Sequence, residues 1–103
     1  MAYDVIWTPD AKRDLDFVVS YYAEVLGMTA AAGRLIDRMG DLADTLAASP
    51  EAHELSRDSL LAARGYRKAV VGSHIVLYLV DNARREVVVT DIFSGSQNYA
   101  RRI

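Results

Sequence analysis

The chain has 103 residues, about half of them apolar and a quarter charged, which is the size and balance of one ordinary folded domain and excludes a disordered or fibrous chain. It contains no cysteine, so disulfides, thiolate nucleophiles and cysteine-based zinc or iron–sulfur sites are ruled out. The net charge of −2 conceals a division: residues 1–56 carry four Lys or Arg against ten Asp or Glu, and residues 57–103 carry eight against four. The division reads either as an acidic back and a basic face to which acidic partners or phosphates are drawn, or as solvated helices that are acidic beside strands that carry arginine.

"AYDVIW" alternates and is rich in β-formers, and "TPD" follows it with a threonine cap, a proline suited to the first helical position and an aspartate in the first turn. The same stretch puts Asp4 and Pro9 where a secretory signal needs a basic start and a long apolar run, and no later stretch approaches ~20 uncharged apolar residues. The expectation is a cytoplasmic chain with no membrane partner. In the helix that follows, Leu15, Val18, Val19, Tyr22 and Leu26 fall on one predicted buried stripe, and Gly27 stops it. A second helix after Thr29 carries Leu35, Met39, Leu42 and Leu46 on one face, with Arg34, Asp37, Arg38 and Asp41 elsewhere. The short link between the two predicts an antiparallel helical hairpin.

Ser49-Pro50 breaks the pattern, and "AASPEAHELSRDSLLAARG" reads as a polar loop with one helical turn around Leu60-Leu61. "YRKAVV", Gly72-Ser73 and "HIVLYLV" then form a hairpin, because glycine first in a two-residue connection marks a primed turn. Its register pairs Val71 with His74, Val70 with Ile75, Lys68 with Leu77 and Arg67 with Tyr78. One face holds Arg67, Ala69, Val71, His74, Val76 and Tyr78, and the other holds Tyr66, Lys68, Val70, Ile75, Leu77 and Leu79. "DNARR" turns the chain into "EVVVTDIF", an antiparallel third strand of this run, and "SGSQN" ends it. The predicted fold class is α+β, a single domain over residues 1–103 of order β-α-α-β-β-β, with a small twisted antiparallel sheet packed against the N-terminal helical hairpin.

That order, with Pro9 near the end of the first strand, Gly65-Tyr66-Arg67 opening the β-hairpin, Tyr78 near the end of its second strand, and Gly95-Ser96-Gln97-Asn98-Tyr99 after the last strand, resembles the RelE/ParE superfamily of toxins from bacterial type II toxin–antitoxin modules. The resemblance implies a cytoplasmic toxin neutralised by a cognate antitoxin protein that wraps around it, with no metal and no small-molecule cofactor. RelE-like members resemble ribosome-dependent ribonucleases that cut messenger RNA, whereas ParE-like members poison DNA gyrase.

A metal-free RNA-cleaving site needs several cations and a proton donor or acceptor on one face, to orient the 2′-hydroxyl and to stabilise charge on the phosphate. On the resemblance Lys68 and Arg67 are candidate cations and Tyr99 the C-terminal aromatic, so these three would share the chemistry of a nuclease. Where the family carries a phosphate-binding arginine this chain has Ile75, or His74 if the register differs by one, and "SGSQN" offers no cation. These departures lean toward a ParE-like, non-nucleolytic role. The alternatives are a RelE-like endoribonuclease and a non-toxic member that only binds its antitoxin. Arg64, Arg67, Lys68, His74, Arg84, Arg85 and Tyr99 are the candidates for contacting the target or the antitoxin. His53 has no partner at metal-ligand spacing, and the Asp10 and Asp14 carboxylates read as favourable charge at a helix N-terminus.

Overall fold

The computed structural model describes residues 2–94. Strand β1 (Asp4–Trp7) leads into helix α1 (Pro9–Ser20), which runs on through a π-helical turn (Tyr21–Val25). Helix α2 (Thr29–Ala48), the short helix α3 (Ser59–Ala63) and strands β2 (Arg67–Val71), β3 (His74–Asp81) and β4 (Glu86–Ser94) complete the order.

Local chemistry starts α1 as the sequence predicts. The Thr8 hydroxyl accepts from the Ala11 N–H at 3.1 Å and donates to the Thr90 carbonyl at 3.2 Å, so one side chain caps the helix and fastens it to β4. Further along, the Leu26 N–H reaches back five residues to the Tyr21 carbonyl. That extra residue rotates the end of the helix off its stripe. Leu15, Val18, Val19 and Tyr22 pack on the core, but Leu26 faces solvent, contrary to the spacing. Gly27, at φ +65°, then turns the chain in the left-handed conformation that commonly ends helices.

The sheet order is β1-β4-β3-β2. The β2–β3 register is the predicted one at every pair, from Arg67 opposite Tyr78 to Val71 opposite His74. Gly72 has φ +61° and Ser73 does not have positive φ, as a type II′ turn requires. The sheet is mixed, however, rather than wholly antiparallel: β1 lies parallel to β4, Asp4 opposite Glu86 through Trp7 opposite Val89. Parallel partners some eighty residues apart leave no local turn signal, which is why alternation alone misses the pairing.

A β-bulge interrupts the β3–β4 ladder: Leu77 pairs with Asp91 but Tyr78 pairs with Val89, leaving Thr90 as the extra residue. Its hydroxyl closes the gap by donating to the Leu77 carbonyl at 3.3 Å. Val87 and Val89 before the bulge and Ile92 after it all face the helices, where they join Leu35, Met39, Leu46, Val76 and Tyr78 in the main core. Without the bulge, strict alternation would send Asp91 inward after Val89.

The other face carries a second, smaller core of Leu61, Leu77 and Phe93, with Tyr66 and Ile75 at its margin. Helix α3, capped by the Asp58 carboxylate accepting from the Leu60 and Leu61 N–H groups, lays Leu61 on that face and leaves Leu60 in solvent. The sequence-predicted helical turn is thus the lid of the second core.

Gly72→Ala tests the turn. Forcing a Cβ into the left-handed region costs about 1–2 kcal/mol, so the urea midpoint falls with the m-value unchanged.

Candidate functional site

The candidate residues separate onto two faces and two ends of the sheet. Arg67 and Lys68 are consecutive on β2, so their side chains leave opposite faces. Arg67 lies on the helix side opposite Tyr78, while Lys68 lies opposite Leu77 on the face that α3 covers. His74, at the far end of the hairpin, stands about 23 Å along β3 from Asp81 and the adjoining turn that holds Arg84 and Arg85, at roughly 3.3 Å per residue. Tyr99 and the rest of residues 95–103 lie outside the described residues.

Arg67 is engaged in holding the chain. Its Nη1 donates to the His53 carbonyl at 2.7 Å and its Nη2 stands 3.7 Å from the Glu51 carboxylate. Backbone bonds from the Lys68 N–H to Glu54 and from the Ser56 N–H to Tyr66 complete the fastening of this loop along the outer edge of β2. Beneath it Tyr78 is fully enclosed, edge-on to the His53 ring at 6.3 Å between centroids. The Tyr78 hydroxyl lies near the His53 backbone without a hydrogen bond of good geometry. Burial pushes its phenol above the ordinary value, and the Arg67 charge pulls only part of the way back.

Arg85 is also committed. It takes φ +54°, its guanidinium lies 5.1 Å over the Tyr3 ring, and its carbonyl accepts from the Asp4 N–H. The Tyr3 hydroxyl donates to Asn82 at 2.7 Å, so the β3–β4 turn is a socket for the start of β1. Arg64, at the C-terminus of α3, Arg84 in that turn and Lys68 have no side-chain hydrogen bond or ion pair among the described residues. Asp10 pairs with Arg13, and Asp14 accepts from the Ile92 N–H at 3.3 Å, covering the edge of β4 beyond the last residue of β1.

His74 is buried, at 7 % exposure, with its ring edge-on to Tyr22 at 6.0 Å between centroids. It closes the floor of an open groove of about 310 Å³ whose rim carries Arg34 and Arg38 from α2 and the Gly72-Ser73 turn. Beside it, Phe17, Tyr21, Leu26 and Ser94 line an adjoining hollow of about 260 Å³ that shares Tyr22, Ser73 and His74. Sequence reasoning placed Arg34 and Arg38 only as solvated positions off the buried stripe. The signal was their spacing, a like-charge pair at i, i+4. Among the described residues no cluster of three His, Asp or Glu side chains is placed to hold a metal ion, and no helix is long and apolar enough to cross a membrane.

The family model described as ParE toxin of type II toxin–antitoxin system, parDE, matches residues 5–99. No curated protein matches significantly. Among solved structures, the chain is similar to one from the RelBE2 toxin–antitoxin complex of Mycobacterium tuberculosis, at 22 % identity and a TM-score of 0.67, covering 91 % of this chain and 99 % of that one. It is similar to one from the chromosomal ParDE system of P. aeruginosa, at 20 % identity and a TM-score of 0.69, covering 90 % and 96 %. A chain of the intact E. coli RelBE complex is similar at 19 % identity and a TM-score of 0.57, covering 93 % and 100 %. At these identities the structures establish the fold.

Two outcomes follow from the Arg67 cluster. Arg67→Ala removes a charged hydrogen bond to a backbone carbonyl, worth about 1.5–3 kcal/mol, and speeds amide exchange across residues 51–56, whereas Glu51→Gln, an exposed partner, changes stability by less than about 0.5 kcal/mol. Tyr78 stays neutral in the folded chain above the pH at which it ionises when unfolded, so its stabilising term is complete below about pH 10 and is lost as pH rises. Tyr78→Phe is therefore as stable as the parent at pH 7 or more so, and loses less stability between pH 10 and 11.5 in urea titrations.

Proposed function

This chain belongs to the ParE toxin family of type II toxin–antitoxin systems, and on that premise we propose that it is a growth-arresting toxin of the cytoplasm that binds DNA gyrase without cleaving RNA and is held inactive by a cognate antitoxin. The antitoxin follows from the family and is supported by the kind of complex from which the similar structures come. One observation carries the choice of mechanism: Arg67 and Lys68, the two cations a nuclease would need together, leave opposite faces of β2, and Arg67 is already bonded to His53 and Glu51. Stabilising a pentacoordinate phosphate requires converging donors. Among the described residues no such convergence exists around them, since His74 stands four residues along β3 from Tyr78, the partner of Arg67, and is buried against Tyr22. A gyrase-binding mode needs a contact surface and no such focus.

Supercoiling by purified gyrase should stop when the purified chain is added, and primer extension on messages from induced cells should show no codon-positioned cuts. Tyr99→Phe should leave growth arrest intact. Codon-positioned cleavage lost in Tyr99→Phe, with gyrase unaffected, would establish the ribosome-dependent nuclease instead; unimpeded growth on induction would leave only antitoxin binding.

A further inference from the structure

Between the loop that follows α2 and strand β2 the chain folds back on itself into one tight unit. The Lys68 N–H donates to the Glu54 carbonyl and the Ser56 N–H to the Tyr66 carbonyl, while the Tyr66 N–H returns to the Leu61 carbonyl, so α3 is held beside β2 and over the small core of Leu61, Leu77 and Phe93. The outer surface of this unit faces solvent: Leu60 is 70 % and Val70 61 % exposed. Leu60 on α3 and Arg64 at its C-terminus stand one turn apart, and Lys68 and Val70, two residues apart, leave the face of β2 that α3 covers. Arg57, Arg64 and Lys68 make no side-chain hydrogen bond or ion pair among the described residues.

The charge here is one-sided. Residues 54–70 hold Arg57, Arg64, Arg67 and Lys68 against Glu54 and Asp58. Arg67 leaves by the opposite face, and Asp58 caps α3 through the Leu60 and Leu61 N–H groups. Asp91 shares the face but lies two strand spacings, about 10 Å, from Lys68. Three unpaired cations and one uncommitted carboxylate, Glu54, therefore adjoin two exposed aliphatic side chains, in a chain whose net charge is −2. Apolar side chains standing in water beside arginines mark a protein-docking surface, and the sign of the local charge selects an acidic partner. A nucleic acid fits it poorly. A single strand stacks its bases on aromatic rings, and Tyr66, the one aromatic residue of this unit, is packed against the small core; a duplex needs a continuous basic track, which Leu60 and Val70 interrupt.

We infer that α3 and the adjoining strip of β2 are the surface that grips the target, and that the target presents there an acidic protein patch around an apolar hollow that takes Leu60 and Val70. The inference rests on the gyrase reading above and deepens it by naming the surface and the chemistry the target must offer. Arg57 and Arg64 steer and hold the acidic patch, so the contact weakens as salt rises, while the backbone bonds that fasten α3 to β2 keep the surface formed before docking.

The test measures the concentration of the full chain that half-inhibits supercoiling by purified gyrase, beside the melting temperature of each variant. Arg57→Glu with Arg64→Glu should raise that concentration about 100-fold and flatten its salt dependence, at an unchanged melting temperature, since both side chains are exposed and unpartnered. Leu60→Ser should raise it about tenfold with the salt dependence intact. Lys12→Glu, a change of charge on the helical side of the sheet, should leave it within about twofold of the parent. A double charge reversal within twofold of the parent overturns the inference while leaving the gyrase reading standing, and so does a loss in Lys12→Glu as large as in the double reversal, which would make net charge the cause. A parent chain that does not inhibit gyrase overturns both. A parent chain that binds a 20-nucleotide RNA, with that binding abolished by the double reversal, overturns the choice of partner.

Discussion

Leu77 and Tyr78 are consecutive on β3 and both are entirely shut off from water, which a strand achieves only when both faces of its sheet are covered. Most of the architecture answers that constraint. Helices α1 and α2 cover Tyr78, and α3 with Phe93 covers Leu77. The bulge at Thr90 lies across from this pair, and it lets β4 supply both Ile92 to the main core and Phe93 to the small one. An unbulged β4 would bring Asp91 toward the helices, where an unpaired carboxylate is strongly disfavoured.

Parallel pairing of β1 depends on a second set of fastenings, since it ends after four residues. Tyr3 and Asp4 seat the start of β1 in the β3–β4 turn through Asn82 and Arg85, and Thr8 ties its end to Val89 and Thr90. Asp14 then takes the Ile92 amide where β1 no longer reaches. The outer side of β4 is thereby covered, and the loop through His53 to Ser56 covers the first half of the edge at β2. A partner strand adding to β4 would have to displace β1 or Asp14. The side-chain surface at the Gly72-Ser73 end requires no such displacement.

What the sequence shows of this fold is what local chemistry determines. Gly72-Ser73 sets the hairpin register because a two-residue primed turn admits one pairing, and Thr8-Pro9 starts α1 because capping is satisfied within four residues. The parallel mate of β1, the π-helical turn that moves Leu26 into solvent, and the bulge at Thr90 all arise from packing between distant segments, and each breaks a period without announcing it. The candidate site divides in the same way. Arg67 reads as a free cation on a strand because its partner, the His53 carbonyl, belongs to a loop that sequence order places fourteen residues away. His74 reads as a polar residue beside a turn, and only the helical hairpin laid over it makes it buried. Arg34 and Arg38 were legible as an unfavourable pair, but the groove between them and the sheet was not.

The cations of the fold therefore divide into two kinds. Arg67 and Arg85, two of the cations a sequence would nominate for chemistry, are committed to Glu51, the His53 carbonyl and the Tyr3 ring and so hold a loop and the start of β1 in place. Arg34 and Arg38 have no partner among the described residues, and Phe17 and Val25 stand in water. Exposed apolar area and repelling charges cost stability in the isolated chain, and both costs are recovered when a complementary surface covers them. A fold fastened in this way suits a protein whose activity is set by what binds it: the fastenings keep the scaffold rigid, so the free energy of docking goes to the partner contact rather than to ordering the chain.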